Sequence, residues 1–352
     1  MLKIKRNALY LREKMNKRQV IFVLGAVALT ALAIFFFSLK TRYVAISGYA
    51  QGGKYTVTLS LPDRKTQPES LKAGIDSVLM RIDKSVSGYN PASLLSKFNN
   101  GEEFSPDDVF EDIFSAAYNY YNSTSGALNC AAGELFNMWG FGFTSGSLPS
   151  DEDVKKALER CDMAAAYSGK AEDLPAMPAS ERIKLNFNAI APGYSSDAVA
   201  SYLRSKGVKN MLVNIGGEIF YDGRNPSGKA WRIGVDNPKD GHFEEGADVK
   251  GIIDCPENYH AIVTSGNYRK YYIKDGRKYS HTIDPRTGYP VTHYLLSATI
   301  IAKTALDADA LATTCMVIGF EQAKKLIEES PDLEGYLITS TKVWNSDGIK
   351  IR

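Results

Sequence analysis

Cysteine is scarce and scattered. Only four cysteines, Cys130, Cys161, Cys255 and Cys315, occur in 352 residues, with no C-x-x-C spacing among them, so neither a zinc site nor a redox pair is indicated. Cys315 lies in an apolar run and reads as a small buried hydrophobe, and nothing in the spacing of the other three supports a disulfide. Net charge is also nearly absent. Forty-two Lys and Arg against 40 Asp and Glu leave +2, whereas a nucleic-acid binder carries a clear basic excess. No short-period repeat is visible, and no shift in composition marks a linker.

The long uncharged run is confined to one place. Residues 1–19 carry Lys3, Lys5, Arg6, Arg12, Lys14, Lys17 and Arg18 against the single acid Glu13, and residues 20–38 follow as VIFVLGAVALTALAIFFFS. As a helix this run rises roughly 30 Å, enough to cross a bilayer. Its basic flank favours the cytoplasm, which puts everything after Lys40 on the extracytoplasmic side. A cleaved signal peptide is the competing reading. The run is longer than a usual h-region and ends in Phe35-Phe36-Phe37 rather than small-x-small, which favours an uncleaved anchor in the cytoplasmic (inner) membrane. No cysteine follows closely enough for a lipoprotein anchor.

Beyond the anchor, period-2 and helical patterns alternate without a strict βαβ repeat. Residues 55–61, 210–214, 219–222, 231–235, 260–265, 271–274, 295–302 and 335–338 read as strands, as does 182–190. Residues 70–85 (Leu71, Ile75, Val78, Leu79, Ile82), 151–161, 195–206, 306–318 and 320–329 have helical spacing. Ser93 is placed to cap a short turn ending near Asn99, and Ser105-Pro106 to open a helix running to about Asn122. The class expected is α+β, with residues 43–352 as the extracytoplasmic domain.

Two places concentrate chemistry. Residues 281–290, His-Thr-Ile-Asp-Pro-Arg-Thr-Gly-Tyr-Pro, place an imidazole, a carboxylate and a guanidinium on a backbone pinned at three points. Pro285 fixes φ, Gly288 permits positive φ and Pro290 holds Tyr289 extended. A surface hairpin explains the Gly and Pro equally well, but not the additional need to hold His281 and Asp284 in place. Asp309 and Thr313 stand at i and i+4 of a helix and so share a face. With a main-chain carbonyl they would make an all-oxygen site of the kind magnesium favours; an ordinary helix with an exposed Asp and a buried Thr has the same spacing.

The segment at 281–290 resembles the H-x-IDP-x-TG-x-P signature of the ApbE-type FAD:protein FMN transferases, and further motifs of that family occur in order over 43–352. They are the small Gly segment at 48–53, Ser87-Gly-Tyr89-Asn-Pro-Ala-Ser93, WGFG at 139–142, Asn186-Phe-Asn188-Ala189-Ile190-Ala191-Pro192-Gly193-Tyr194 with Asp197, and Val-Asn-Ile-Gly-Gly-Glu at 213–218. Thr264-Ser265-Gly266-x-Tyr268-Arg269 and Asp309-Ala-Leu-Ala-Thr313 complete the set. The resemblance implies an α+β ApbE-like domain that binds FAD through Gln51, Tyr89, Ala127, Leu128, Asn129, Asn186, Pro192, Ser265 and Ile283. It implies Mg2+ held by Asp309, Thr313 and the carbonyl of Ala189. His281 would be the base, with Asp284 orienting it or holding the loop. The reaction implied is Mg-dependent transfer of FMN from FAD to a Thr or Ser hydroxyl of an extracytoplasmic, redox-associated acceptor protein, with release of AMP.

Four positions depart from the family pattern. Asn129 and Asn186 replace carboxylates, Pro192 replaces a usual Lys or Glu, and Ala312 stands where some relatives have a further acid. An amide brings hydrogen bonds but no charge, so weaker magnesium affinity is expected. Two other readings therefore stand beside transfer: a membrane-anchored FAD-binding protein with little activity, and hydrolysis of FAD to FMN and AMP.

Overall fold

The computed structural model describes residues 21–27, 29–30, 41–143, 148–166, 183–239, 246, 248–268, 271–274 and 276–352. Two units are distinguished, Met1–Arg42 and Tyr43–Arg352. In the first, residues 21–27 and 29–30 are helical; most of the expected 20–38 span lies outside the described residues. Among the described residues, no helix is long and apolar enough to cross a membrane.

The second unit is built on an eight-stranded sheet, β1-β2-β3-β4-β7-β12-β13-β14, whose neighbours all pair antiparallel. Its strands are Tyr43–Ala50 (β1), Gly53–Ser60 (β2), Met211–Ile215 (β3), Glu218–Asp222 (β4), Ala261–Gly266 (β7), Leu295–Ala302 (β12), Glu334–Thr339 (β13) and Val343–Asn345 (β14). The pleat sends alternate residues to opposite faces, and the two central strands show what each face meets. Ile300 of β12 and Leu337 of β13 pack with helices α1 (Pro68–Val86), α7 (Ala191–Ser205), α8 (Ala305–Ile318) and α9 (Phe320–Glu328). Their neighbours Ile301, Tyr336 and Ile338 point the other way, onto a three-stranded sheet of β5 (Arg232–Asp236), β6 (Val249–Asp254) and β15 (Lys350–Ile351). The expected α+β class holds, as helices on one face of an antiparallel sheet and a small second sheet on the other.

Helix α8 runs through the middle of this arrangement. Ala305, Ala308, Ala310, Ala312, Cys315 and Met316 are all buried, so most of the helix surface is covered, as expected of an apolar helix in a core. Ala305, Ala308 and Ala312 belong to the main core, while Ala310 joins a second core. That second core gathers α2 (Leu94–Asn100) and α3 (Asp108–Ser123) with Leu128, Cys130, Leu185, Phe187 and Ile190. A further cluster holds Trp139, Leu135 of α4 (Gly133–Met138), Val154 of α5 (Asp151–Leu158) and Ile283. The short helix α6 (Met163–Ala166) and the hairpins β8–β9 (Tyr271–Lys274, Arg277–Ser280) and β10–β11 (Ile283–Asp284, Tyr289–Pro290) complete the described elements.

Several expectations are corrected. Of the strand expected at 182–190, the described residues 183–190 form none; they contribute a single bridge, Lys184 to Ala132, then a turn that opens α7 four residues earlier than expected, at Ala191. Pro192 stands in the first turn of α7, where its missing N–H costs nothing. Helix α3 is capped by Asp107 rather than Ser105: the Asp107 carboxylate accepts from Phe110 N at 2.9 Å and from Ser85 Oγ at 2.6 Å. Strands β1 and β6 escaped the periodicity reading altogether. The β1–β2 connection is a two-residue turn between the paired Ala50 and Gly53, with Gln51 at φ 53°. Positive φ in such hairpin turns matches the twist of the strands.

Candidate active site

The pinned loop is as rigid as its sequence requires. Ile283 pairs with Pro290 and Asp284 with Tyr289, and the turn between them is closed by Gly288 N donating to the Asp284 carbonyl at 2.8 Å. Gly288 adopts φ 82°, and a Cβ there would lie 2.5 Å from Val154 Cγ1, so both conformation and space demand glycine. The Trp139 indole donates to the Gly288 carbonyl at 2.8 Å, the Tyr289 hydroxyl to Asp151 at 2.6 Å, and Thr282 Oγ1 to Asn267 at 2.5 Å. Asp284 engages Arg286 with both carboxylate oxygens, at 2.9 and 2.8 Å. Its visible work is therefore to brace the loop.

A ladder of rings leads to His281. Trp139 stacks on Tyr279, Tyr279 on Tyr272 and Tyr272 on Phe141, with centroids 5.8, 5.3 and 5.3 Å apart; Phe141 meets the imidazole edge-on at 6.3 Å. The two hairpin rings, Tyr279 and Tyr272, are sandwiched between Trp139 and Phe141, so the WGFG motif clasps the β8–β9 hairpin. Trp139 is 5% exposed. Trp139→Ala is expected to cost roughly 3–5 kcal/mol of stability, read as a lowered midpoint in urea denaturation; a loss under about 1 kcal/mol would mean that the ladder bears no load.

Around His281 opens a cleft of about 1090 Å³, at the upper end of ligand-site sizes and roomy enough for a dinucleotide. Of the residues expected to act, His281, Tyr89, Ala127, Leu128, Asn129, Asn186, Ser265, Ile283, Ala189, Asp309 and Thr313 all line it. Gln51, Pro192 and Asp284 are not on its wall. Gln51 donates from Nε2 to Ser195 Oγ of α7 at 2.6 Å. Arg269 lies outside the described residues. The wall also includes Glu218, Arg232 and Asp236. Glu218 is the last residue of the Gly-Gly-Glu match, but Arg232 and Asp236 carry no motif, and only the folding of β5 toward the cleft reveals them.

Both asparagines that replace expected acids are engaged in local structure. Asn129 is 7% exposed; its amide nitrogen donates to the Cys161 carbonyl at 2.6 Å while its oxygen accepts from Ala131 N at 2.9 Å. A carboxylate in this position could not donate to that carbonyl, so the amide is matched to its surroundings. Asn186 Oδ1 accepts from Asn188 N at 2.9 Å, which shapes the turn bearing Ala189.

Asp309 and Thr313 lie along the cleft face of α8. Asp309 is 4% exposed, and its Oδ2 accepts from Gly193 N at 3.0 Å; Thr313 Oγ1 lies 3.5 Å from Ser265 Oγ. Burial raises the Asp309 carboxyl well above the usual range, the negative charge of Glu218 raises it further, and the Gly193 N–H opposes. A buried acid facing a second acid needs a proton or a cation. Among the described residues no three His, Cys, Asp or Glu gather as a metal cluster. A carboxylate, a hydroxyl and the carbonyl of Ala189 nevertheless suit a hard dication, which takes oxygen donors and keeps several waters.

Asp197 sits behind this face, and burial pushes its carboxyl up to about 6 against two N–H donors that pull it down. The folded state then holds a proton that the unfolded chain has released above about pH 4. In magnesium-free protein, the stability of the wild type relative to Asp197→Asn should therefore fall by about 2–3 kcal/mol as pH rises from 4 to 6.5, and level off above. Chemical denaturation across that range measures it, and a flat difference would contradict the burial argument.

Comparison with known proteins bears on the same residues. The ApbE family profile matches residues 52–337. A relative from Escherichia coli K12 named FAD:protein FMN transferase is 33% identical over 351 residues, covering 92% of this chain and 96% of the relative. One of the same name from Vibrio cholerae is 33% identical over 81% of this chain and 84% of its own. Among solved structures, the flavin transferase ApbE from Vibrio cholerae superposes with a TM-score of 0.75 at 30% identity, over 88% of this chain and 98% of that one. The apo form of the Pseudomonas stutzeri flavinyl transferase ApbE gives 0.74 at 29%, over 88% and 96%. The profile spans the pinned loop, the cleft and helix α8 together, and on that ground the chain belongs to the ApbE family.

Proposed function

We propose that the chain is an FAD:protein FMN transferase, moving FMN from FAD to a Thr or Ser hydroxyl of an acceptor protein and releasing AMP. The observation that carries this reading is that His281, on a loop held by Trp139, Asp151 and Asn267, and the oxygen face of Asp309 and Thr313 line one cleft of dinucleotide size. In the reaction, a new bond forms between the acceptor oxygen and the FMN-side phosphorus. The pyrophosphate bond breaks, and its bridging oxygen leaves with AMP. His281 takes the proton of the incoming hydroxyl, imidazole having its unperturbed pKa near neutrality.

Ala189, Asp309 and Thr313 would hold magnesium, which when bound neutralises charge on the phosphates. Tyr89 and the 127–129 segment form cleft wall on which the dinucleotide can lie. Phe141, itself stacked on Tyr272, meets the imidazole edge-on, and Arg286 grips Asp284 within the turn.

The relatives' names support the transferase and FAD. Residues 20–38 are proposed as a single-pass anchor in the cytoplasmic membrane, with the cleft on the extracytoplasmic side, because the basic flank precedes the uncharged run. Incubating the full-length chain with FAD, Mg2+ and a candidate acceptor protein tests the function. Flavin fluorescence on the acceptor in a denaturing gel is expected. Free FMN would identify a hydrolase, and FAD recovered unchanged would identify a binding protein.

A further inference from the structure

Helices α7 and α8 are tied by hydrogen bonds that run in both directions. The Asp197 carboxylate of α7 accepts from Ala305 N at 2.8 Å and from Leu306 N at 2.9 Å, the first two residues of α8 and 108 and 109 positions distant in sequence. In return, the Asp309 carboxylate of α8 accepts from Gly193 N in the first turn of α7 at 3.0 Å. Gly193 and Asp197 are one turn apart on α7, as Ala305 and Asp309 are on α8, so the two sets close a ring around the helix contact. There is no slack in it. A Cβ on Gly193 would stand 2.3 Å from the Ala305 carbonyl oxygen.

Helix α8 does not need Asp197 merely to begin. Thr304 caps it locally, its Oγ1 accepting from Asp307 N at 3.0 Å, which is the usual device. Asp307 is gripped in addition by the Tyr120 hydroxyl at 2.5 Å. What the remote carboxylate adds is register between two helices. The segment that enters α7 carries the Ala189 carbonyl, in a turn where Ile190 N and Ala191 N both donate to Phe187 O at 3.0 and 2.8 Å. Helix α8 carries Asp309 and Thr313. The ring therefore sets the separation of a main-chain donor from two side-chain donors that no local hydrogen bond relates.

We infer that Asp197 is the positioning residue of the cation site, fixing Ala189 against Asp309 and Thr313 across the α7–α8 contact. The inference rests on the proposed reading that these three supply the cation's donors. Magnesium demands near-ideal octahedral geometry, so a small loss of register costs affinity even when every donor is still present.

The test uses the full-length chain as wild type, Asp197→Asn and Thr304→Ala. Mg2+ affinity is measured by isothermal titration calorimetry, thermal melting without Mg2+, and the transfer assay at varied Mg2+. Asparagine keeps the size of Asp197 but turns an N–H toward an N–H, opening the ring. Asp197→Asn is expected to weaken Mg2+ binding about 10- to 100-fold and to raise KM for Mg2+ in proportion, with kcat at saturating Mg2+ nearly unchanged. Thr304→Ala loses only the local cap; it should melt lower and bind Mg2+ within about twofold of wild type. Should Asp197→Asn fail to fold, Asp197→Ser opens the same ring with a shorter side chain and carries the same expectation. Affinity within about twofold of wild type in the Asp197 variant, or equal weakening in Thr304→Ala, overturns the positioning role. A wild type that binds no Mg2+ overturns the proposed cation site as well, and so is told apart from failure of the inference alone.

Discussion

His281→Ala is expected to lower FMN transfer by about 10²- to 10⁴-fold, the usual contribution of a positioned general base, while FAD still binds. The separation of the two effects follows from where the imidazole sits. It is one of many residues lining a large cleft, to which Tyr89, Ala127, Leu128 and Asn186 also contribute wall, so its loss removes a proton acceptor and a small share of the contact area. The backbone of the turn has its own anchors, Trp139, Asp151 and Asn267 from outside and the Asp284–Arg286 pair within. Single-turnover transfer with FAD prebound isolates the chemical step, and fluorescence quenching on FAD addition reports binding. Transfer within threefold of wild type would remove His281 from the chemistry, and equal loss of binding and transfer would reassign it to holding the nucleotide.

The second large effect has two signs. Asp309→Asn should abolish Mg-dependent transfer, since an amide is a poor ligand for a hard dication, yet the magnesium-free variant should melt at or above the wild type. Burial, and then the charge of Glu218, raise the Asp309 carboxyl well above the usual carboxylate range. The folded wild type is then penalised at neutral pH, where the unfolded chain ionises freely. Asparagine carries no such penalty, and its oxygen can still accept from Gly193 N. Adding Mg2+ should raise the melting temperature of the wild type, because binding to the folded state alone is stabilising, and leave Asp309→Asn where it was. A metal-free variant melting several degrees lower would show that Asp309 serves the fold more than the ion.

Long elements with one clear period were legible from the sequence. Strand β12 begins and ends where its alternation does, and α1 and α8 lie within a few residues of the expected limits. Errors arose where one residue type serves two purposes. The stretch at 182–190 alternates like a strand, but Asn186 and Phe187 direct it into the turn before α7, and the helix-start signal of Pro192 was overridden by that alternation. Ser105 lost the cap of α3 to Asp107 because Ser85 approaches from α1, a tertiary contact no local pattern contains. The family motifs point to His281, Asp309 and Thr313 from segments far apart in the chain, and all three line the same cleft. In the sequence Asp197 is only a retained motif position; its bonds to Ala305 and Leu306 span more than a hundred residues and exist only because α7 lies on α8.

The three-stranded sheet has a consequence for how such a protein can diversify. Arg232 and Asp236 of β5 and Val249 of β6 form the wall of the cleft supplied by that sheet, and the sheet is anchored by its own cluster of Val235, Ile253, Trp231 and Cys255. Substitutions there would alter the lining that the proposed acceptor protein meets while leaving the α7–α8 hydrogen bonds in place. On the proposed function, the β5–β6 part of the cleft wall and the α7–α8 contact lie on different faces of the main sheet and in different hydrophobic clusters, so a change in one need not pass through the packing of the other.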